Sequence, residues 1–277
     1  MSEVLVREVP VAGGKGRRPV TGRRRGGAAL PPGPFAFTSG RKHALPAYLC
    51  DVYNWAYLNP RNARLLDNEA VVNTLLWGNS GRLRRTLLAE ITAGDRVLQA
   101  AHVYGRLVAE LAKTVGPAGR LEVIDVTPLQ AAMCRRKLRA FPHARARIAD
   151  AVYPGEETYD VVVCFFLLHE LPKVYKCAVV DALLARLSPG GKVVFIDYHA
   201  PARWHPLRGL MRQVFARLEP FAEAMWQHEI ADFASDPEPY VWRTETFFGG
   251  LYQKTVAGRE ALTPEGQGPA PGLDRSC

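Results

Sequence analysis

Apolar runs of strand length alternate with helix-like segments through the middle of the chain. Runs centred on residues 97–100, 121–124, 161–167 and 193–196 are separated by stretches whose apolar residues recur at helical spacing. Strands that are apolar on both faces, with helices between them, are typical of a parallel sheet covered on both sides. The pattern therefore predicts an α/β fold with a doubly wound, mostly parallel sheet.

The boundaries of these elements follow from turn and capping residues. The predicted strands and helices of this region, in chain order, are strand 95–101, helix 106–116, strand 120–126, helix 127–141, strand 144–151, strand 159–171, helix 175–187 and strand 192–200. Thr127 is the predicted N-cap of the second helix, with Pro128 at its first position. Residues 45–92 before the first strand have a helical pattern, broken at Pro60 and near Gly78.

The two ends of the chain lack this pattern. Residues 1–43 are rich in Gly, Pro and Arg, with nine Lys or Arg against two Glu, so they hold most of the net charge of +9. Such a segment predicts a disordered basic tail, and residues 258–277 predict a flexible C-terminal tail. We therefore expect one catalytic domain over residues 44–257. The basic tail is either a solvated arm or a segment attracted to anionic lipid or nucleic acid.

Composition argues against several classes of protein. No apolar run reaches 18 residues, so a membrane-spanning helix is not expected, and the N-terminus has no apolar segment typical of a secretion signal. The five cysteines show no C-x-x-C pairing, as expected for free thiols in a reducing cytoplasm. Nucleic acid is not expected as a partner, because the basic surplus belongs to the tail.

Polar side chains follow several of the apolar strands. Ligands of doubly wound sheets bind at the carboxyl ends of the strands. A carboxylate at Asp125 suits a ribose diol, and one at Asp150 suits an adenine amino group, although each also fits a capping or turn role. The predicted cofactor-binding residues are Gln99, Ala101, His102, Gly105, Asp125, Val126, Asp150 and Ala151.

Two stretches resemble the class I S-adenosylmethionine (SAM) methyltransferases, in particular the quinone C-methyltransferases of ubiquinone biosynthesis. LSPGGKVVFIDYH resembles that family's loop and fifth strand, and WRTETFFGGLYQKTVAGR resembles its closing antiparallel hairpin. The resemblance covers roughly residues 45–257. It implies the class I SAM methyltransferase-like fold, with this C-terminal hairpin and an N-terminal helical segment.

The opening turn departs from the family pattern of an acid followed by Gly-x-Gly-x-Gly. In VLQAAHVYGRL, Gln99 replaces the acid, Ala101 and Val103 replace the first two glycines, and Gly105 keeps the third. With YNWAYLNP upstream and FIDYH downstream, this turn resembles the rhodoquinone biosynthesis proteins known as RquA. That resemblance implies conversion of ubiquinone to rhodoquinone by replacement of a ring methoxy group with an amino group. It further implies SAM as the amino donor and manganese (Mn²⁺) as an aid.

The residues of the turn fit this chemistry. Val103 places a branched side chain where the methionine part of SAM approaches the backbone, so the amino-acid end is expected to shift from a methyl-transfer pose. Gln99 carries no charge to stabilise the SAM ammonium, so the free amine is more accessible. The alternative is a drifted turn in a protein that no longer binds SAM.

Addition of an amine to a quinone needs a proton acceptor and is helped by a Lewis acid. The predicted catalytic residues are His169, His199, Tyr198 and Tyr57. By resemblance to metal-dependent relatives, the predicted metal ligands are His169, Glu170, Asp197 and His199, although each also fits a loop role.

A quinone with a long apolar tail resides in the membrane, so an enzyme that modifies it must act at the membrane surface. LCDVYNWAYL and WHPLRGLMRQVFARL combine aromatic and apolar residues with arginines and predict a lid or an interfacial surface, unless they pack over the sheet edge. We therefore expect a peripheral protein on the inner face of the cytoplasmic membrane. Three other functions stay open: an ordinary quinone methyltransferase, a nucleic-acid-binding protein that uses the tail, and a non-catalytic scaffold.

Overall fold

One sheet of eight strands organises the chain. The computed structural model describes residues 6–8 and 45–259. The strands are β1 Val6–Glu8, β2 Arg96–Ala100, β3 Arg120–Asp125, β4 Ala144–Ile148, β5 Tyr159–Phe165, β6 Leu187–Tyr198, β7 Val241–Phe247 and β8 Tyr252–Gly258. They lie in the order β1-β7-β8-β6-β5-β2-β3-β4.

Five neighbouring strands of the sheet are parallel. The pairs β2–β3, β3–β4, β2–β5 and β5–β6 run in the same direction. The hairpin β7–β8 joins β6 antiparallel, and β1 adds to the outer edge of β7. The predicted α/β fold, with its mostly parallel sheet and C-terminal antiparallel hairpin, is confirmed.

Nine α-helices, together with shorter helical turns, surround the described part of the sheet. The α-helices are α1 Ala47–Asp51, α2 Pro60–Leu66, α3 Glu69–Leu75, α4 Ser80–Leu88, α5 Leu107–Val115, α6 Pro128–Leu138, α7 Lys173–Leu184, α8 Arg208–Leu218 and α9 Ala224–Gln227. Thr127 caps α6 as predicted, since its hydroxyl accepts from the backbone N–H of Gln130 at 3.2 Å. Helix α5 contacts both α4 and α6, whereas α7 and α9 contact β6.

The central strands are buried on both faces. Leu98, Val162, Val194 and Phe195 are completely inaccessible to solvent. Burying each such side chain stabilises the fold by roughly 1.5–3 kcal/mol. This explains why these strands are near-continuous apolar runs in the sequence rather than alternating patterns.

Some element boundaries differ from the sequence prediction. The run predicted as strand 159–171 leaves the sheet at Phe165, and Leu168–Glu170 form a 3₁₀-helical turn. Strand β6 begins before the predicted residue 192, and Gly191 lies so close to β5 that a Cβ there would stand 2.8 Å from the Tyr159 carbonyl oxygen. Residues 6–8 form a short edge strand inside the segment predicted as a disordered tail; the rest of that tail and residues 260–277 lie outside the described residues.

The sheet order places a switch point beside β2. From β2 the next strand along the chain, β3, lies on one side, and β5 lies on the other. Doubly wound sheets bind ligands outside the carboxyl ends of the strands at such a point. The residues after β2, β3, β4 and β5 are therefore brought to one edge.

Candidate active site

A large cavity lies at this edge, with a volume of about 490 Å³. Its walls come from the strand ends, from residues 48–77 and from α8. Ten of the predicted site residues line it: Tyr57, Ala101, His102, Asp125, Val126, Asp150, Ala151, His169, Glu170 and Tyr198. Gln99, Gly105, Asp197 and His199 do not line it.

Gln99 supports the turn after β2 from beneath. Its side chain is completely buried, and Nε2 donates to the carbonyls of Ala100 at 2.9 Å and Ala101 at 3.1 Å. Ala101 has a φ of +66°, the left-handed region that favours glycine. The two hydrogen bonds therefore hold an alanine in a conformation that costs it energy. No carboxylate is presented to the cavity from position 99.

Gly105 serves the packing of the turn against the N-terminal helices. Its φ is +81°, and a Cβ there would stand 2.7 Å from Oε2 of Glu69. Its N–H donates to Oδ1 of Asp67 at 3.0 Å, and its carbonyl accepts from Nζ of Lys137 at 2.8 Å. The one glycine kept from the family pattern is thus explained by contacts outside the cavity.

Asp125 is a buried carboxylate at the end of β3. It accepts from the backbone N–H of His102 at 2.9 Å and from the N–H and hydroxyl of Thr127, both at 2.8 Å. Burial raises its pKa to about 6 in spite of these hydrogen bonds. Oδ1 already accepts two hydrogen bonds, whereas Oδ2 accepts one and can accept another from a ligand hydroxyl. The position fits a hydroxyl of the ribose.

Asp150 lies further along the same wall. Its Oδ1 accepts from the N–H of Val152 at 3.0 Å, and burial raises its pKa. Val126 and Ala151 offer apolar surface beside the two acids. This set of polar and apolar groups fits a nucleoside, so the residues at this end of the cavity fit SAM.

His102 is a neutral imidazole on the turn. Burial and the nearby Lys137 ammonium lower its pKa to about 4. Its Nδ1 lies 2.8 Å from Oε1 of Gln130, an amide oxygen that can only accept. The proton therefore sits on Nδ1, and Nε2 is a hydrogen-bond acceptor. Among the described residues Nε2 has no partner.

A buried histidine and three carboxyl groups form a second cluster. His169 Nδ1 lies 2.9 Å from Oδ1 of Asp197, while its Nε2 lies 3.5 Å from Glu219 and 3.9 Å from Glu170. Burial opposes the charged imidazolium, but the carboxylates of Asp197 and Glu219 outweigh it and raise the His169 pKa to about 9. Burial also raises the pKa of Glu170 to about 8. The cluster therefore holds transferable protons near neutral pH.

Tyrosines close this cluster on the cavity side. The Tyr57 hydroxyl donates to Oε1 of Glu170, and its ring stacks on Tyr104 with centroids 5.7 Å apart. Tyr198 meets the His169 ring edge-to-face at 4.9 Å. The Tyr53 hydroxyl donates to Oε2 of Glu219 at 3.3 Å.

Sequence reasoning missed Glu219 and Tyr53 as members of the cluster. Glu219 directly follows α8, 49 positions from Glu170 along the chain, so no local spacing connects the two acids. Its charge is the one feature that distinguishes Glu219 in the sequence, because it is the first acidic residue after the arginine-rich helix α8.

The predicted metal site is not assembled. His199 is held away by the β7–β8 turn, because its backbone N–H donates to the Leu251 carbonyl and its Nδ1 contacts the Gly250 carbonyl at 2.9 Å. Asp197 accepts from the N–H groups of His169 and Tyr198 as well as from the imidazole. His169, Glu170 and Asp197 lie together, but His199 does not join them. Within residues 6–8 and 45–259 no three His, Cys, Asp or Glu are placed to hold a metal ion. His199 does not line the cavity, so this geometry gives no support to its predicted metal-binding role, and its predicted catalytic role stays a prediction.

Across the part of the chain that the structure describes, no helix combines the length and apolar character needed to span a membrane.

Comparison with known proteins agrees with this fold. Residues 97–191 match a family model described as a methyltransferase domain. Over 140 residues the chain is 25% identical to the ubiquinone/menaquinone biosynthesis C-methyltransferase UbiE of Pseudomonas putida, which covers 47% of this chain and 54% of that protein. The matched region thus spans about half the length of this curated relative.

Solved structures share the architecture at low sequence identity. The crystal structure of LaPhzM has a TM-score of 0.54 at 13% identity, covering 75% of this chain and 61% of that one. The N-methyltransferase NodS of Bradyrhizobium japonicum, in complex with S-adenosyl-L-homocysteine, has a TM-score of 0.48 at 16% identity, covering 73% and 93%. The chain therefore has a fold like that of the class I SAM-dependent methyltransferases, and its residues 97–191 are similar to a methyltransferase domain.

Proposed function

We propose that this protein converts ubiquinone to rhodoquinone, replacing a ring methoxy group by the amino group of SAM. The altered turn after β2 carries this proposal. Side chains of Ala101 and Val103 line the cavity where glycines leave space in the family pattern. These side chains disfavour the backbone-close pose of the methionine moiety.

The charge of the turn supports the same chemistry. Gln99 is neutral and does not line the cavity, and its Nε2 donates to the backbone carbonyls of Ala100 and Ala101. His102 is neutral as well, because its pKa is lowered to about 4. Without an anion beside it, the SAM ammonium gains little stabilisation, so its neutral amine form is favoured relative to a site with an acid. Only the neutral amine has the lone pair needed to attack a ring carbon.

The two groups of polar residues in the cavity have different roles, one in binding SAM and the other in proton transfer. Asp125 and Asp150 fit the nucleoside of SAM at one end of the cavity, and His169, Glu170 and Glu219 face the other end. A flat apolar ring fits between aromatic walls that include Tyr57 and Tyr198.

The first step is an addition and elimination. The amine forms a C–N bond to the ring carbon that carries the methoxy group, and a carboxylate such as Glu219 takes the amine proton. His169, whose raised pKa keeps Nε2 protonated near neutral pH, donates a proton to the departing methoxide. The products of this step are methanol and an N-linked aminoquinone.

The second step releases nitrogen from the donor. Removal of the donor's Cα proton by the same cluster moves two electrons into the quinone ring and leaves an imine. Water hydrolyses the imine to an aminohydroquinone and the 2-oxo acid of the donor. The quinone is reduced and the amino acid is oxidised, so the sequence as far as the hydroquinone form of rhodoquinone needs no other oxidant. Because no three of the described His, Cys, Asp or Glu residues are placed to hold a metal ion, no step is assigned to manganese.

The alternative is SAM-dependent C-methylation of a quinone. The similarity to UbiE of P. putida favours it. Both reactions use SAM and a proton-accepting cluster, and they differ in which atom of SAM reaches the ring.

Isotope transfer distinguishes the two reactions. The purified protein is incubated with a short-tail ubiquinone and with SAM labelled either on the amino nitrogen or on the methyl carbon, and the quinone products are weighed by mass spectrometry. We expect loss of the methoxy group with gain of labelled nitrogen, together with the 2-oxo acid of the donor. A product that carries the methyl label contradicts amino transfer and supports methylation.

The variant His169→Gln is the control for site dependence. It removes the titrating imidazole while SAM affinity, measured by calorimetry, should be kept. Unchanged labelled product from this variant would show that the reaction does not use this cluster.

A further inference from the structure

The cavity opens through an apolar rim. Trp55, Leu75, Trp77 and Leu218 all line the cavity, yet they are 47, 57, 39 and 48% exposed. Large apolar side chains exposed together are costly in water and mark a surface that contacts something else. We call these four residues the apolar rim.

The apolar surface continues past the rim on two helices. On α8, Leu210 precedes Val214 and Leu218 at helical spacing of four residues, so the three form one stripe that runs from the outer surface into the cavity. On α2, Leu65 is exposed, and its neighbour Leu66 lines the cavity.

Both helices are basic. Helix α2 carries Arg61 and Arg64, α8 carries Arg208, Arg212 and Arg217, and neither helix contains an acidic residue. Apart from Arg208, which is part-buried, these arginines are exposed. Exposed leucine and tryptophan with flanking arginine is the composition of surfaces that lie in the headgroup region of anionic bilayers.

We infer that the apolar rim docks on an anionic lipid bilayer, with α2 and α8 in the headgroup region, and that a long-tailed quinone enters the cavity directly from the membrane. The route of entry rests on the proposed function, because it requires an apolar-tailed substrate. The docking surface itself requires only the exposed residues and their charges.

Flotation of the full-length protein with vesicles tests the docking surface. Vesicles of phosphatidylcholine alone are compared with vesicles that also contain phosphatidylglycerol, and binding is expected to the second. Two double variants, called the rim variants below, are Leu65→Asp/Leu210→Asp and Arg64→Gln/Arg217→Gln. Each should weaken vesicle affinity by about tenfold or more, the first by placing acids against anionic lipid and the second by removing two positive charges. None of these four residues lines the cavity.

Matched substitutions elsewhere serve as controls. Val241→Asp adds a charge at another exposed apolar residue, and Arg85→Gln/Arg139→Gln removes two exposed positive charges from α4 and from the residue that ends α6. We expect these controls to float with vesicles like the unchanged protein.

Other occupants of the rim give different results. Loss of vesicle binding only when residues 1–44 are deleted, with the rim variants unaffected, would assign the membrane contact to the tail and overturn the proposal. A dimer that the rim variants dissociate, without lipid binding, would assign the rim to a second copy of the chain and overturn it as well.

Turnover separates this proposal from the proposed function. The rim variants should keep amination of a short-tail quinone in solution and lose amination of a long-tail quinone embedded in vesicles. If short-tail quinone is not aminated but vesicle binding depends on the rim, the function is wrong and the docking surface stands. If short-tail and embedded quinones react equally well in the rim variants, the docking surface is wrong.

Discussion

Glu170 couples the chemistry of the cavity to the stability of the protein. Its carboxyl group is buried, and its pKa is raised to about 8 from an ordinary value near 4.5. The folded state therefore holds a proton that the unfolded chain has lost. His169, with a pKa raised to about 9, acts in the same direction at higher pH.

These shifts predict that stability falls as the pH rises. For Glu170 the loss begins above its unfolded value and continues to about pH 8; for His169 it runs from about 6.5 to about 9. Glu170→Gln keeps an acceptor for the Tyr57 hydroxyl and cannot ionise. One pKa unit corresponds to about 1.4 kcal/mol, so we expect this variant to gain about 1–3 kcal/mol of unfolding free energy at pH 8.

Urea unfolding at pH 6 and pH 8 measures this effect. The loss of stability between the two values should be smaller in Glu170→Gln than in the unchanged protein, whereas Glu156→Gln, at an exposed glutamate, should leave the difference unchanged. Equal pH dependence in all three proteins would show that Glu170 is ionised throughout.

At the scale of elements, the segment from Tyr53 to Leu58 acts as a cover on the cavity. Residues Asn54–Leu58 form a π-helical turn, a geometry frequent at functional sites. Two hydrogen bonds join this turn to the residues after β2 and to α6. The Tyr104 hydroxyl donates to the Ala56 carbonyl at 2.8 Å, and Gln130 Nε2 donates to the Tyr57 carbonyl at 3.3 Å. The ligand end of the cavity is thereby bounded by the N-terminal segment.

Tyr57→Phe tests how much this cover depends on one hydroxyl. The phenyl ring keeps its stacking on Tyr104, but the buried carboxyl group of Glu170 loses its donor, which costs about 1–3 kcal/mol. We expect a lower melting temperature and slower turnover, with SAM affinity retained. The exposed Tyr153→Phe is the matched control and should change neither quantity. Wild-type turnover and stability in Tyr57→Phe would remove this segment from the catalytic description.

The elements that the sequence predicts correctly are those with strong periodic patterns. Buried strands such as β2 and β3 and the capped helix α6 carry their own signals, because burial on both faces and the Thr127-Pro128 start are local properties. The N-terminal helices were predicted only as a region. Short helices depend on packing against the rest of the fold, so their individual bounds have weak local signals.

At the scale of the whole molecule, the site combines residues from strand ends with residues far away in sequence. The carboxyl ends of β2, β3 and β4 follow from sheet topology, so His102, Asp125 and Asp150 could be predicted to lie at one edge. The grouping of Glu219 with His169 depends on how α8 folds back over the sheet, which no spacing in the sequence encodes. The same limit explains His199, whose position is fixed by the β7–β8 turn.

SAM binding should stabilise the whole domain, because a ligand held by residues after β2, β3 and β4 joins segments that separate on unfolding. Saturation at about 100 times Kd adds about 2.7 kcal/mol. Asp125→Asn removes the charge from the predicted ribose contact while keeping an oxygen for Thr127, and we expect it to reduce the SAM-induced rise in melting temperature. Asp160→Asn changes a comparable carboxylate that accepts from the Arg96 N–H at the opposite end of the sheet, and it should keep the full rise. Differential scanning fluorimetry across a SAM titration compares the three proteins; an identical rise in Asp125→Asn and the unchanged protein would place the ribose elsewhere.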